Sequence, residues 1–272
     1  MVADARPARF CVLIIAGLDP SGGAGLAADQ RAILATGTWP CPVCATITVQ
    51  STAGLVSAHP VDPALLTAQA TEVLRHERVR AIKTGALGND ANVQATCDLL
   101  RAHRSIPAVV DPVLIATRSA AGARLLDSDA RRSLGELLHL ATVATPNTDE
   151  ASEILGKPIR DEKDLEDAAR ELCALGPRAA LIKGGHLPGD RSADVLHLAG
   201  RSHRFTSRRL PVPEFHGGGC TMASLIAGKL ASTEGKPTDA VIVDAVRSAK
   251  RRLSASIRAA VRVGDGLLVL PM

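Results

Sequence analysis

Three consecutive glycines followed by a cysteine form the segment of this sequence with the most specific chemistry. His216 and the run Gly217-Gly218-Gly219-Cys220-Thr221 precede an apolar stretch, Met222–Leu230, that has helical character. Free main-chain amides at a helix N-terminus, together with the positive end of the helix dipole, suit a phosphate or a phosphoryl group in transfer. The same position favours the thiolate form of Cys220. The motif alone leaves a second interpretation open, a glycine-rich linker beside a buried cysteine.

A second glycine-rich segment, Gly23-Ala24-Gly25-Leu26-Ala27-Ala28, matches the G-x-G-x-x-G/A pattern of dinucleotide-binding folds. That pattern expects an acidic residue about 20 positions later, where it binds a ribose hydroxyl. The next predicted strand ends at Thr48-Val49-Gln50, and no acidic residue occurs between Asp29 and Asp62. The sequence therefore disfavours a dinucleotide-dependent oxidoreductase, and a glycine turn that only starts a helix stays open.

Two further segments could bind a nucleotide. Asn147 and Glu150 stand three residues apart at a predicted helix start, where a carboxylate can hold Mg²⁺ or where the pair can form a capping box. Lys183-Gly184-Gly185 follows a predicted strand and could direct an ammonium group to a phosphate, or form a solvated turn. Each pair of interpretations stays open at this point.

The elements that position these residues are predicted from short apolar runs, which indicate strands, and from amphipathic stretches between them, which indicate helices. Helical spacing is clearest in Pro63–His76 and Asp161–Ala174, and the last third of the chain, from about Thr221 to Val261, indicates two helices. Such alternation predicts parallel strands in one sheet with helices on both faces, and ligands gather beyond the carboxyl ends of such strands. The predicted strands are Cys11–Ala16, Val43–Val49, Arg80–Thr84, Ala108–Val110, Thr142–Ala144 and Ala179–Ile182.

Composition excludes several classes of protein. The 272 residues are 46% hydrophobic and 22% charged, with 32 basic and 28 acidic side chains, which is typical of a globular core and not of a disordered chain. Three Phe, one Trp and no Tyr leave almost nothing for stacking bases, so we expect no nucleic-acid partner. No apolar window approaches the roughly 18 residues of a membrane span. Six sparse, irregularly spaced cysteines fit a reducing compartment, and we expect a cytoplasmic protein.

Taken together and in this order, the motifs resemble the hydroxymethylpyrimidine and phosphomethylpyrimidine kinases of thiamine biosynthesis, members of the ribokinase-like superfamily. The resemblance covers nearly the whole chain and depends on no single short pattern. It implies a three-layer α/β/α sandwich with a mostly parallel central sheet, formed by residues 1–272 as a single ribokinase-like kinase domain. The segments that carry it are Ala16–Gly25 with Asp29, Thr145-Pro146-Asn147 with Glu150, Ile182–His186, and His216–Thr221.

The resemblance also implies a reaction, the ATP-dependent phosphorylation of 4-amino-5-hydroxymethyl-2-methylpyrimidine, of its monophosphate, or of both. The catalytic group would comprise Cys220 as base, Lys183, and the amides of Gly217, Gly218 and Gly219. The pyrimidine would lie near Gly17, Ala24, Asp29, Thr48, Gln50, Ala86 and Val113. ATP would be bound by Asp111, Asn147, Glu150, Lys183, Thr206 and Lys250, with Mg²⁺ near Glu150 and Asp111. A homodimer is the assembly that the resemblance implies.

Side-chain chemistry agrees with part of this assignment. Gln50 offers both a donor and an acceptor to an aminopyrimidine, and Asp29 would be a buried acceptor for its amine or ring nitrogen. The chain also departs from the family, which usually has Thr at position 218, Val at position 48 and Met at position 86. Thr48 and Ala86 predict a more polar and roomier pocket, so substrate identity is less firmly indicated than phosphoryl transfer.

Two alternatives to pyrimidine kinase activity remain. Pyridoxal kinase activity is the nearer one, because the cysteine form of the glycine motif is shared with a group of bacterial pyridoxal kinases. The other is a non-catalytic pyrimidine-binding sensor domain, against which Lys183, Glu150 and Cys220 argue as an intact set.

Overall fold

A single large sheet organises the chain in the computed structural model, which describes residues 9–116, 118, 125–126, 130–185 and 187–272. Its nine strands run in the order β3-β2-β1-β4-β5-β6-β7-β8-β9. These strands are β1 (Cys11–Leu18), β2 (Trp39–Ser51), β3 (Gly54–Pro60), β4 (Val79–Thr84), β5 (Ala108–Val110), β6 (Val143–Ala144), β7 (Ala179–Lys183), β8 (Arg191–Leu198) and β9 (Arg201–Arg208). A separate short pair joins β10 (Phe215–His216) to β11 (Leu268–Val269).

Helices cover both faces of this sheet. They are α1 (Gly25–Ala35), α2 (Pro63–His76), α3 (Asp90–Ala102), α4 (Arg131–His139), α5 (Thr148–Leu155), α6 (Glu162–Ala174), α7 (Gly218–Ala231) and α8 (Asp239–Arg258). One apolar core packs the sheet against α2 to α6, and a second packs it against α1, α7 and α8. The three-layer sandwich predicted from the sequence is confirmed.

The central strand β1 shows why the sequence folds this way. Its residues are apolar without alternation, and successive side chains point to opposite faces, so both faces must be covered by helices. Leu13 and Ile15 enter the core beneath α2 to α6, whereas Val12 and Ile14 enter the core beneath α1, α7 and α8.

The sheet is parallel from β2 through β7, which confirms the expectation of a mostly parallel sheet, and its edges carry antiparallel strands that were not predicted. β3 runs antiparallel to β2, and β8 and β9 form an antiparallel extension beside β7. The β8–β9 connection is the two-residue turn Ala199-Gly200, with φ of 50° and 73°. A connection this short can only join antiparallel strands, since parallel strands need a crossover of a dozen or more residues.

The helix predicted over Pro63–His76 has those bounds in the structure. Asp62 caps it by accepting hydrogen bonds from the amides of Ala64 and Leu65, and Pro63 occupies the first turn, where its missing N–H costs nothing. α6 begins in the same way after Asp161, whose carboxylate accepts from the amides of Lys163 and Asp164. None of the helices in the described part of the chain combines the length and the hydropathy of a membrane span.

Candidate active site

A cavity of about 480 Å³ opens beyond the carboxyl ends of the parallel strands. Ligands of open, mostly parallel α/β sheets bind in this position. Most of the site residues predicted from the sequence line it. These are Gly17, Ala24, Thr48, Gln50, Ala86, Asp111, Val113, Asn147, Glu150, Lys183, Gly217, Gly218, Gly219, Cys220 and Lys250.

The N-terminus of α7 presents main-chain nitrogens to this cavity. The first hydrogen bond within the helix runs from the amide of Thr221 to the carbonyl of Gly217 at 2.9 Å, so the three amides from Gly218 to Cys220 precede the helical hydrogen bonding. Gly217 adopts a left-handed φ of 78°, and a Cβ there would collide with the carbonyl oxygen of Gly23. The segment is therefore a helix start built on glycine geometry, and the interpretation as a linker is wrong.

Lys183 brings a positive charge to the same place. A Cβ on Gly219 would lie 3.0 Å from the Lys183 ammonium, so glycine there lets the cation approach the helix start closely. The ammonium donates a hydrogen bond of 2.7 Å to Asp111, which also accepts from Thr145 at 3.0 Å. Burial alone would lower the pKa of Lys183, but Asp111 and Glu150 outweigh it and raise that pKa, so the charge is retained.

Asn147 and Glu150 form a capping box and also face the cavity, so the structure is compatible with both interpretations of their spacing. The Glu150 amide donates to the Asn147 side chain and the Asn147 amide donates to the Glu150 carboxylate, each at 2.8 Å, which makes a capping box at the start of α5. Both side chains nevertheless line the cavity. Burial raises the pKa of Glu150 to about 7, with the Lys183 charge working in the opposite direction. A second cation would therefore be stabilising beside this carboxylate.

Asp111 and Glu150 fit a Mg²⁺ ion as ligands. Magnesium is commonly held by one or two carboxylates, with phosphates and water supplying the other oxygens. Two carboxylates facing one cavity match that pattern. In the part of the chain that the structure describes, there is no group of three or more His, Cys, Asp and Glu side chains that could hold an ion unaided.

The expectation of an activated thiolate at Cys220 is wrong for the protein without ligands. Burial raises the pKa of the Cys220 thiol to about 12. The Lys83 charge and a hydrogen bond from the Gly25 amide act to lower it, but Asp29 and Asp111 add to the increase. Burial of the sulfur is the largest cause, and the two carboxylates act in the same direction.

Asp29 does not contact the cavity, contrary to its assignment as a pyrimidine acceptor. It is fully buried in α1, and its two carboxylate oxygens accept from Lys83 and from Ser224, each at 2.7 Å. Lys83, also fully buried, does line the cavity, as expected for a residue near a strand end, although no role was assigned to it from the sequence. Its position at the end of a predicted strand, as in Lys183, was the available signal. Asp29 raises the pKa of Lys83 despite burial, so a second ammonium group stands near Cys220.

Thr206 is the second assigned residue that lies away from the cavity. It is exposed on β9 and accepts a hydrogen bond from Arg191 at 3.2 Å. Because side chains alternate along a strand, the next residue, Ser207, lines the cavity instead, opposite Ser192 of β8.

Lys250 reaches the cavity from α8 and is anchored there. Its ammonium donates to Asp194 at 2.6 Å and to Ser192 at 3.3 Å. Asp194 also accepts from the Gly184 amide at 3.0 Å, which links α8 to the loop after β7. Sequence reasoning missed Asp194 because β8 was not predicted. His186, part of the motif that follows Lys183, lies outside the described residues.

Thr48 contributes less polarity than its residue type indicates. Its hydroxyl donates to the carbonyl of Leu18 at 2.8 Å, so the hydroxyl proton is not available to a ligand in the cavity. Ala86 and Val113 also line the cavity, so this end of it has the apolar surface that a small aromatic ring requires.

Comparisons with known proteins agree with this geometry. A family model described as phosphomethylpyrimidine kinase matches residues 19–270. The hydroxymethylpyrimidine/phosphomethylpyrimidine kinase of Streptomyces coelicolor is 40% identical over 257 residues, which cover 94% of this chain and 91% of that protein. Among solved structures, a phosphomethylpyrimidine kinase from Clostridium difficile has a TM-score of 0.76 at 31% identity, covering 92% of this chain and all of the other. An ADP complex of Bacillus subtilis pyridoxal kinase has a TM-score of 0.85 at 25% identity, covering 97% of both chains.

Proposed function

The chain belongs to the phosphomethylpyrimidine kinase family, and from that premise we propose that it transfers the γ-phosphoryl group of ATP to 4-amino-5-hydroxymethyl-2-methylpyrimidine, to its monophosphate, or to both, in thiamine biosynthesis. The observation that carries the proposal is the approach of the Lys183 ammonium to the amides at the start of α7, beside Cys220. Preorganised donors of this kind stabilise a phosphoryl group in transfer.

We propose that ATP lies along the strand ends on the side of Asn147, Lys183 and Lys250, with the pyrimidine ring on the side of Gln50 and Ala86. The substrate hydroxyl oxygen would form a bond to the γ-phosphorus as the bond from that phosphorus to the bridging oxygen breaks, so that ADP leaves. Mg²⁺, when bound, neutralises phosphate charge. Asp111 and Glu150 would hold it.

We propose that Cys220 accepts the proton that the substrate hydroxyl loses. Since the thiol of the unliganded protein has a pKa of about 12, only a small thiolate fraction is available near neutral pH. This is compatible with catalysis because positioning and electrostatics provide most of the acceleration in phosphoryl transfer. The Lys83 charge and the Gly25 amide support the anion when it forms.

Pyridoxal kinase activity is a second candidate. It is favoured by the high structural similarity to a pyridoxal kinase and by Ala86, which leaves room for a different ring. A coupled assay of ADP release, run with the hydroxymethylpyrimidine, its monophosphate and pyridoxal side by side, decides between the candidates. The proposed function predicts kcat/KM highest for a pyrimidine; ADP release with pyridoxal alone would overturn it, and pyrimidine binding without ADP release would indicate a sensor domain.

We also propose that residues 1–272 act as one domain in a cytoplasmic homodimer that requires Mg²⁺. The six cysteines are free thiols, which fits a reducing compartment. Light scattering on the purified protein tests the dimer. Loss of activity in EDTA, with recovery on added Mg²⁺, tests the metal requirement.

A further inference from the structure

Three side chains from distant parts of the sequence meet in one wall of the cavity. Asp19 follows β1, Gln50 belongs to β2, and His216 ends β10. The His216 Nε2 atom lies 3.1 Å from Asp19 Oδ2 and 2.8 Å from the terminal atom of the Gln50 side chain that is placed as the amide nitrogen, Nε2. His216 and Asp19 are 5% and 4% exposed, so their hydrogen bonds are made largely out of contact with water.

Asp19 can only accept in this arrangement. Its carboxylate accepts from the amide and hydroxyl of Ser21, at 2.9 and 2.7 Å, and from the Ala24 amide at 2.8 Å. Burial alone would raise the pKa of Asp19, but these hydrogen bonds and His216 outweigh it and lower that pKa. The carboxylate is therefore ionised, and His216 Nε2 must carry a proton in order to bond to it.

The other ring nitrogen leads to the same conclusion. His216 Nδ1 is buried, and no described residue provides it with a hydrogen-bond partner. A proton on Nδ1 would be a buried donor without an acceptor, while Nε2 would then hold a lone pair against the Asp19 carboxylate. The Nε2–H tautomer removes the contact between a lone pair and the carboxylate, and it leaves Nδ1 as an unpaired acceptor instead of an unpaired donor.

This tautomer fixes the orientation of the Gln50 amide. A protonated Nε2 has no lone pair, so the amide group beside it must be the carbonyl, which accepts, and not the NH₂ group, which donates. The amide oxygen and nitrogen occupy equivalent positions and are assigned by their hydrogen bonds. The NH₂ group of Gln50 is then the end left for a ligand in the cavity.

We propose that His216 is a positioning residue that holds Gln50 with its NH₂ group towards the substrate, which must therefore present a hydrogen-bond acceptor there, such as a ring nitrogen. This inference rests on the proposed function for the placement of the substrate ring beside Gln50. It excludes the reverse arrangement, in which the Gln50 carbonyl would accept from an exocyclic amino group.

Gly23 belongs to the same arrangement. A Cβ at this position would collide with His216 Cδ2 and lie 3.2 Å from Cγ, so the absence of a side chain lets the ring reach Asp19 and Gln50. A Gly23→Ala variant would displace the imidazole without changing the identity of Asp19, Gln50 or His216.

A double-mutant cycle tests whether His216 acts through Gln50. We expect Q50A and H216M each to raise KM for the pyrimidine about 5- to 100-fold, the range for one lost hydrogen bond in a desolvated site, with little change in kcat or in KM for ATP. The double variant should be no more than about threefold worse than either single one. H216Q, whose NH₂ group can donate to both neighbours, should recover most of the loss, and G23A should behave like H216M. Multiplicative losses, or an unchanged KM in H216M, would overturn the proposal.

A measurement on the unmutated protein covers the case in which H216M does not fold. ¹⁵N NMR of the imidazole nitrogens, with the His216 signals assigned by their absence from H216Q, should place a proton on Nε2 at pH 7.5. An unprotonated Nε2 would refute the inference. This readout does not depend on kinase activity, so the failure of the inference and the failure of the proposed function are distinguishable.

Discussion

Replacing Cys220 with alanine removes the sulfur while retaining the main-chain nitrogen that α7 directs into the cavity. Alanine is a good helix former, so we expect α7 to keep its start at Gly218. The amides of Gly218 and Gly219 and the ammonium of Lys183 stay in place, and so should the binding of ATP. The variant therefore separates proton transfer from phosphate binding.

The magnitude follows from the role of the sulfur. General-base assistance is typically worth about 10²- to 10⁴-fold in rate, or roughly 3 to 5 kcal/mol of transition-state stabilisation. We expect kcat of C220A to fall by that factor while the Kd for ATP changes less than about threefold. Cys173→Ala provides the matched control, because Cys173 is a half-buried thiol near the end of α6 that does not line the cavity.

The assay is coupled ADP release for kcat, with calorimetry for ATP binding and thermal unfolding to confirm that the variant is folded. If C220A turns over at the rate of the unmutated enzyme, the base is another group and the assignment is refuted. If ATP binding is lost together with kcat, the sulfur serves binding and not proton transfer.

The pH profile sharpens this test. With the pKa of Cys220 raised to about 12, the thiolate fraction grows about tenfold per pH unit below that value. The logarithm of kcat/KM should therefore rise by about one per pH unit between pH 7.5 and 9.5 in the unmutated enzyme, and it should stay flat over this range in C220A. A plateau in the unmutated enzyme would mean that no group with such a pKa limits the rate.

Five other variants test the remaining assignments. Lys183→Met should lower kcat at least about 100-fold in the ADP-release assay, because it removes a preorganised cation from the transferring group. Burial raises the folded-state pKa of Glu150 from 4.5 to about 7, so ionising this carboxyl group destabilises the folded protein. Denaturation of the metal-free protein should therefore show the free energy of unfolding falling by up to roughly 3 kcal/mol from pH 4.5 to above pH 7. E150Q should abolish this pH dependence. Lys83→Met should reduce the free energy of unfolding by roughly 3 to 5 kcal/mol because it leaves Asp29 buried without its partner, and the K83M/D29N double variant should recover most of that loss. Thr206→Ala should leave KM for ATP within about twofold, because this side chain is exposed outside the cavity.

Local signals in the sequence predict the centre of the fold and not its edges. α2 was predicted over its observed span because its apolar residues repeat with helical spacing. β9 was missed because it is an edge strand with the sequence Arg-Ser-His-Arg-Phe-Thr-Ser-Arg, in which only Phe205 is buried. A strand of this kind is specified by its pairing with β8 and lacks an apolar run of its own.

In the active site too, features marked by local sequence signals could be predicted, and features that depend on tertiary contacts could not. The glycines before Cys220 and the lysine that ends β7 could be placed because a helix start and a strand end are local features. The position of Asp29 could not, since its ion pair with Lys83 joins residues 54 positions apart. The same holds for the pKa of Cys220, which is dominated by burial among elements that only the tertiary fold brings together.

A crystal structure with a non-hydrolysable ATP analogue and the hydroxymethylpyrimidine tests the central claim most directly. We predict oxygens of the terminal phosphate about 3 Å from the main-chain nitrogens of Gly218 to Cys220 and from the Lys183 ammonium, with the substrate hydroxyl between the phosphorus and the Cys220 sulfur. A terminal phosphate bound away from the start of α7, with Cys220 remote from the hydroxyl, would contradict the account.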